Sequence, residues 1–166
     1  MELLGSNLEQ LFSSCNYAFS VKTTLMLVYQ MLYRIEFIHS RYYIHRDIKP
    51  DNFVMGQGKN ANKVYCIDFG LAKRFRDIKT GEHIAYKEGR PLIGTVRYSS
   101  IGTHLGVEQT RRDDLESLAY IIIYFLKGSL PWQNVKGKNK KEVHMKMLER
   151  KLEITEEELC KGLPGF

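Results

Sequence analysis

The sequence lacks any long apolar run: the longest, Leu118 to Leu126, is nine residues, and a membrane-spanning helix needs about 20. No span is expected. Cysteine is scarce. Cys15, Cys66 and Cys160 lie far apart with no C-x-x-C pair, which excludes a disulfide framework and a zinc ribbon. Reduced thiols point to the cytoplasm, with the nucleus as a second location. With 13 Gly and 4 Pro the chain is neither collagen-like nor of low complexity. The start, Met1-Glu2-Leu3-Leu4-Gly5, has no basic n-region and no long apolar stretch, so no secretory signal is expected. No internal repeat is visible. The net charge of +6 favours acidic partners such as nucleic acid, anionic lipid, or acidic and phosphorylated protein. No zinc finger, recognition motif or aromatic-basic stacking platform accompanies that charge, so specific nucleic-acid binding is not expected.

What is present suits one globular domain: 166 residues, 43 % hydrophobic and 27 % charged. Leu8, Leu11 and Phe12 predict a short helix after the Gly5-Ser6-Asn7 turn. Ser20 reads as the N-cap of a long helix with Leu25, Val28, Met31, Leu32, Ile35 and Ile38 as its apolar stripe. Two short strands, Asn52 to Met55 and Lys63 to Ile67, flank a Gly- and Asn-rich loop and predict a hairpin. Residues 71–112 show no sustained period and read as a long loop, which in a compact domain is usually functional or disordered. A helix is predicted from Asp113 or Asp114 through Leu126, ended by Gly128 and Pro131. Another is predicted from about Lys140 to Leu152 with Val143, Met147 and Leu148 inward. Thr155 and Glu158 fit a capping box for a last short helix.

The chemistry concentrates in His45-Arg46-Asp47-Ile48-Lys49-Pro50-Asp51-Asn52 and in Asp68-Phe69-Gly70. The hairpin lies between them, so Asp47, Asn52 and Asp68 are expected to converge. Asn52 and Asp68 would supply the few oxygen ligands that Mg²⁺ takes beside substrate phosphates. Asp47, free of metal, would accept a proton from a substrate hydroxyl, and Lys49 would set a point charge beside a transferring phosphoryl group. Phosphoryl transfer asks a protein mainly for positioning and charge stabilisation. Singly these residues are weak signals; Asp47 and Asp68 can as well cap turns, and His45 can be a satisfied core imidazole. The ordered pair H-R-D-x-K-x-x-N and D-F-G is specific.

On those motifs the chain resembles the C-terminal lobe of a eukaryotic protein kinase, and more narrowly the casein kinase 1 family. Met1 to Gly5 is similar to that family's hinge, Ile67 to Lys73 to its I-D-F-G-L-A-K, and His83 to Glu88 to its H-I-P-Y-R-E with Ala85 in place of Pro. Ser100-Ile101-Gly102 stands where the family has S-I-N, and Arg111-Arg112-Asp113-Asp114, Ser129 to Gln133 and Leu159 to Gly162 match again. The resemblance implies a kinase-like lobe, mainly α, whose short β-hairpin carries the catalytic and D-F-G segments, with hinge 1–5, catalytic loop 45–52 and activation segment 68–102. It implies an ATP- and Mg²⁺-dependent Ser/Thr kinase in which Asp47 is the base, Lys49 contacts the transferred phosphate, and Asn52 and Asp68 hold Mg²⁺. Thr95 would steady Asp47 and Lys49, and Asp114 would brace the catalytic-loop backbone. Met1, Glu2, Leu4, Val54 and Ile67, with Asp68, would bind the nucleotide. Arg46, Lys73, Arg90 and Arg97 would read acidic or pre-phosphorylated protein substrates, with ordinary surface charge as the bland alternative. Val143 and Asn134 replace a Lys and a Gly common in the family, which weakens one anion contact.

A kinase also needs a glycine-rich phosphate loop and a strand lysine over the nucleotide. These 166 residues contain neither; Gly56-Gln57-Gly58 lacks the third Gly. The expectation is therefore a kinase lobe whose partner lobe is absent, with little activity by itself. A non-catalytic docking module of pseudokinase type is the alternative, against which the intact Asp47, Asn52 and Asp68 argue.

Overall fold

Local capping starts most of the helices. In α1 (Leu8–Ser14) the Asn7 side chain accepts from Gln10 N at 2.8 Å, and the Gln10 side chain accepts from Asn7 N at 3.0 Å. Ser20 caps α2 (Val21–Ser40) by accepting from Thr23 N at 3.0 Å, as its position predicts. The computed structural model describes residues 3–164. After α2 come β1 (Tyr43–Ile44), β2 (Phe53–Met55) and β3 (Val64–Cys66), then β4 (Lys73–Arg74), α3 (Ile101–His104), α4 (Arg111–Lys127), α5 (Lys140–Glu153) and α6 (Glu156–Cys160).

The predicted hairpin forms. β2 and β3 pair antiparallel with Phe53 opposite Cys66 and Met55 opposite Val64. The incoming chain lies along the far edge of β2: Gly5 N donates to Met55 O at 2.7 Å and Met55 N to Ser6 O at 3.0 Å. A second antiparallel pair, β1 with β4, was not legible in the sequence. It brings Tyr43 opposite Arg74 and Ile44 opposite Lys73, and so ties the segment after Asp68-Phe69-Gly70 back to the residues just before His45.

α4 is the spine. Leu118, Tyr120, Ile121, Ile123, Tyr124 and Phe125 are all buried, so the helix is apolar on nearly every side. Phe12 of α1 meets it edge-on, its ring centre 4.9 Å from Tyr124 and 5.1 Å from Phe125. Met31 and Ile35 of α2 join the same core. Gly128, at φ +81°, closes α4 with its N–H on Tyr124 O at 2.8 Å.

Three expectations need correction. α4 begins at Arg111, because Thr110 is its N-cap and Asp113 serves as its N3 residue, accepting from Thr110 N at 2.7 Å. Residues 71–112 are not a featureless loop. They contain β4, an Arg76–His83 bridge, and α3, capped by Ser100, which accepts from Thr103 N at 3.0 Å. The stripe on α2 is also narrower than its periodicity suggests: Thr24, Met31, Ile35 and Ile38 are buried, whereas Leu25 and Leu32 are exposed. On α5, Val143, Met147 and Leu148 are half-buried, as expected, and Thr155 caps α6 with Glu158.

Candidate active site

One carboxylate organises the turn that carries Asp47. Asp114, buried in the first turn of α4, accepts from His45 N through Oδ2 and from Arg46 N through Oδ1, each at 2.9 Å. His39 at the end of α2 reaches the same Oδ2 through Nε2 at 2.8 Å. Arg46 takes a left-handed φ of +67°, which an L-residue adopts only at a cost of about 1 kcal/mol or more; the two bonds to Asp114 hold it there. His45 is fully buried. Its Nδ1 accepts from Asp47 N at 3.3 Å, so Nε2 carries the proton and donates to Ile67 O at 3.0 Å. The sequence reading of His45 as a satisfied imidazole is thus compatible with a working role: it joins the catalytic loop to the residue preceding Asp68.

The Asp47 carboxylate is held from three sides. Thr95 donates to Oδ1 from both N and Oγ1, each at 2.8 Å. Lys49 Nζ lies 2.8 Å from Oδ2. Asn52 Nδ2 donates to Asp47 O at 2.8 Å and to Oδ2 at 3.2 Å. Burial works against ionisation, but Lys49 and Thr95 outweigh it and hold Asp47 below the usual carboxylate range. Gly94 makes the approach of Thr95 possible. At φ +86° it passes so close to the catalytic loop that a Cβ there would meet Arg46 O at 2.5 Å.

Asp68 stands two residues beyond the end of β3. Ile67 N donates to Asn52 O at 2.9 Å, which places the two candidate cation ligands on adjoining backbone. Asp68 is itself left-handed at φ +62° and exposed, and its Oδ1 accepts from Gly70 N at 3.2 Å. Among the described residues no cluster of three or more His, Cys, Asp or Glu forms a metal cage. What is available is smaller: the Asn52 amide oxygen, left over because its nitrogen serves Asp47, and the second Asp68 oxygen. Two hard oxygens suit a cation that keeps waters and takes its other ligands from phosphate.

A family model described as the protein kinase domain matches residues 1–163. The chain belongs to the protein kinase family. Its mainly helical architecture with a small hairpin is compatible with a protein-kinase-like fold, and the activity of the family is transfer of phosphate to protein.

Within this kinase site, the proposed nucleotide contacts are only partly on view. Met1 and Glu2 lie outside the described residues. Leu4 O already accepts from Gln57 Nε2 at 2.9 Å. Val54 is buried in β2 and Ile67 is half-buried, so both fit plain core as well as an apolar lining.

The four basic residues divide. Lys73 Nζ lies 2.7 Å from Glu108 Oε1 and Arg90 Nε 2.9 Å from Glu108 Oε2. Arg46 Nε donates to Leu71 O at 2.6 Å and feels the same carboxylate. Arg97 instead lies over the Tyr98 ring, 5.8 Å from its centre, while its carbonyl accepts from Trp132 Nε1 at 2.8 Å. Glu108 is the functional residue that sequence reasoning missed. It is buried, and although burial disfavours its charge, Lys73 and Arg90 hold it below the usual range. Beside it, Glu108 N donates to Lys87 O at 2.8 Å and Arg90 N to Gly106 O at 2.9 Å. This one side chain therefore fastens the start of the segment between β4 and α3, at Lys73, and its middle, at Arg90. Glu108→Gln is expected to lower stability by roughly 1–2 kcal/mol, less than for a fully buried pair because both cations reach water. Limited proteolysis should then cut within residues 74–93 faster than in the parent chain.

Proposed function

We propose that these 166 residues form the larger, helical lobe of an ATP- and Mg²⁺-dependent Ser/Thr kinase of casein kinase 1 type. Its substrates are proteins with an acidic or phosphorylated residue near the target hydroxyl. The observation that carries the proposal is the Asp47 carboxylate, kept ionised by Lys49 and Thr95 and flanked by Asn52.

In this reading Asp47 orients the substrate hydroxyl and takes its proton as the oxygen attacks. Thr95 and Asn52 keep the carboxylate from rotating. Lys49, now on Asp47 Oδ2, supplies positive charge where the transferred phosphate gathers negative charge. Asn52 and Asp68 are the residues that would hold Mg²⁺, which would supply positive charge to offset that of the phosphates. Arg46, Lys73 and Arg90 offer the basic surface for an acidic substrate, with Glu108 as the anion that pairs Lys73 and Arg90 meanwhile; Arg97 would act from a separate position. Catalytic loop 45–52 and activation segment 68–102 keep the bounds inferred from the motifs.

Because no glycine-rich phosphate loop lies within the sequence, nucleotide would meet one wall only, and transfer by the 166-residue chain alone should be slow or absent. Binding is the sharper test. Calorimetric titration with ADP should show affinity that requires Mg²⁺ and is lost in Asp68→Ala. Equal ADP binding with and without Mg²⁺, unchanged in Asp68→Ala, would overturn the assignment. Binding of acidic protein without any nucleotide binding would support the docking-module reading instead.

A further inference from the structure

Lys151, in the last turn of α5, is 4 % exposed, and among the described residues no other Lys or Arg is buried. An ammonium has three hydrogens, and here they meet three acceptors: Val96 O at 3.2 Å, Ser99 O at 2.5 Å and His104 Nε2 at 3.2 Å. The same nitrogen lies 4.9 Å from the Tyr120 ring centre and 5.1 Å from that of Trp132. Burying a cation is costly unless its bonds are complete, and these are.

The two carbonyls belong to the turn that follows Thr95. In that turn Tyr98 N and Ser99 N both donate to Thr95 O, at 2.9 and 3.1 Å. Thr95 in turn grips Asp47 through two bonds. A continuous set of contacts therefore runs from α5 to the candidate base. We propose that Lys151 is a positioning residue whose ammonium fixes the 96–99 turn and, through Thr95, the carboxylate of Asp47, and that loss of its proton loosens the turn. The catalytic end of this chain of contacts rests on the phosphotransfer reading; the link from Lys151 to Thr95 does not.

Titratable groups surround Lys151: Glu116 and Tyr120 of α4, His104 of α3, His144 of α5, and Glu156 and Cys160 of α6, which line the same cavity as Lys151. Burial lowers the Lys151 pKa to about 7, opposed by Glu116 of α4. His104 of α3 is lowered to about 4, by burial first and by the Lys151 charge second, with His144 of α5 acting in the same direction. At neutral pH His104 is thus an uncharged acceptor. Tyr120 is raised far above its usual range by burial and its bond to Glu116, so it stays neutral. Below about pH 7 the clamp has all three donors. Above it, the amine keeps two hydrogens, gains a lone pair, and no longer offers a cation to the two rings.

Trp132 is the one tryptophan in the sequence, so its emission reports the nearby ammonium directly. In the full 166-residue chain, emission should titrate with a midpoint near pH 7, and the transition should vanish in Lys151→Met and in Lys151→Arg, which stays charged. Hydrogen exchange at the Thr95 and Ser99 amides should quicken about tenfold in Lys151→Met, with α2 amides unchanged. No emission change between pH 6 and 8 in the parent chain, or a transition that persists in Lys151→Met, would sink the proposal. So would unchanged exchange at Thr95. If emission and exchange respond as stated while Mg²⁺-dependent nucleotide binding is absent, the positioning role stands and the phosphotransfer reading alone fails.

Discussion

Asp114→Ala is expected to destabilise the folded chain by about 3–5 kcal/mol. The carboxylate is buried and accepts from two backbone N–H groups and from His39. Deleting it leaves the His45 and Arg46 amides without acceptors, and each such buried group costs about 1–3 kcal/mol. It also removes what holds Arg46 at φ +67°. Urea unfolding followed by far-ultraviolet dichroism would measure the loss. Asp114→Asn keeps one acceptor oxygen and should lose roughly half as much. A midpoint for the alanine variant equal to the parent's would show that the loop is held by something other than Asp114.

The second large effect concerns chemistry. In a protein that joins these residues to a glycine-rich nucleotide lobe, Asp47→Asn should lower the rate of phosphate transfer to casein by about 10²–10⁴-fold, the usual contribution of a positioned base. Asparagine keeps an oxygen for Thr95 but cannot take the proton. Mg²⁺-dependent nucleotide affinity should stay near the parent value, because the residue 47 carbonyl still holds Asn52 and Asp68 is unchanged, so the loss falls on kcat and not on KM for ATP. A radiolabel-transfer assay with varied ATP separates the two. An asparagine variant retaining a tenth or more of the rate would remove Asp47 from the role of base.

Features set by neighbours in sequence were legible in advance. Ser20 announced α2, Thr155 with Glu158 announced α6, and the Gly- and Asn-rich stretch between two apolar segments announced the β2–β3 hairpin. The hairpin was expected to bring Asp47, Asn52 and Asp68 together: Asn52 lies against Asp47, and Asp68 follows Ile67, whose N–H donates to Asn52 O. The contact of Thr95 with Asp47 was expected from family resemblance. What stayed hidden depends on distant partners. Two-residue strands such as β1 and β4 have too few side chains to show a period, and only their pairing reveals them. Thr110 was overlooked as a cap because Asp113 and Asp114 are the stronger capping residue types on paper. Glu108, in a stretch read as loop, and Lys151, in a polar helix, look like ordinary surface charges. Their burial is decided by Lys73 and Arg90 in one case and by the carbonyls of Val96 and Ser99 in the other. Charge paired across the fold leaves no local signature.

The Glu108 anchor has a consequence for control. A phosphate that pins a loop can be written by one enzyme and erased by another, whereas a glutamate is encoded in the gene and present from translation onward. With Lys73 and Arg90 held by an encoded carboxylate that offsets one of their two charges, no phosphatase can undo this fastening, and the loop's order becomes a heritable property of the polypeptide instead of a cellular decision.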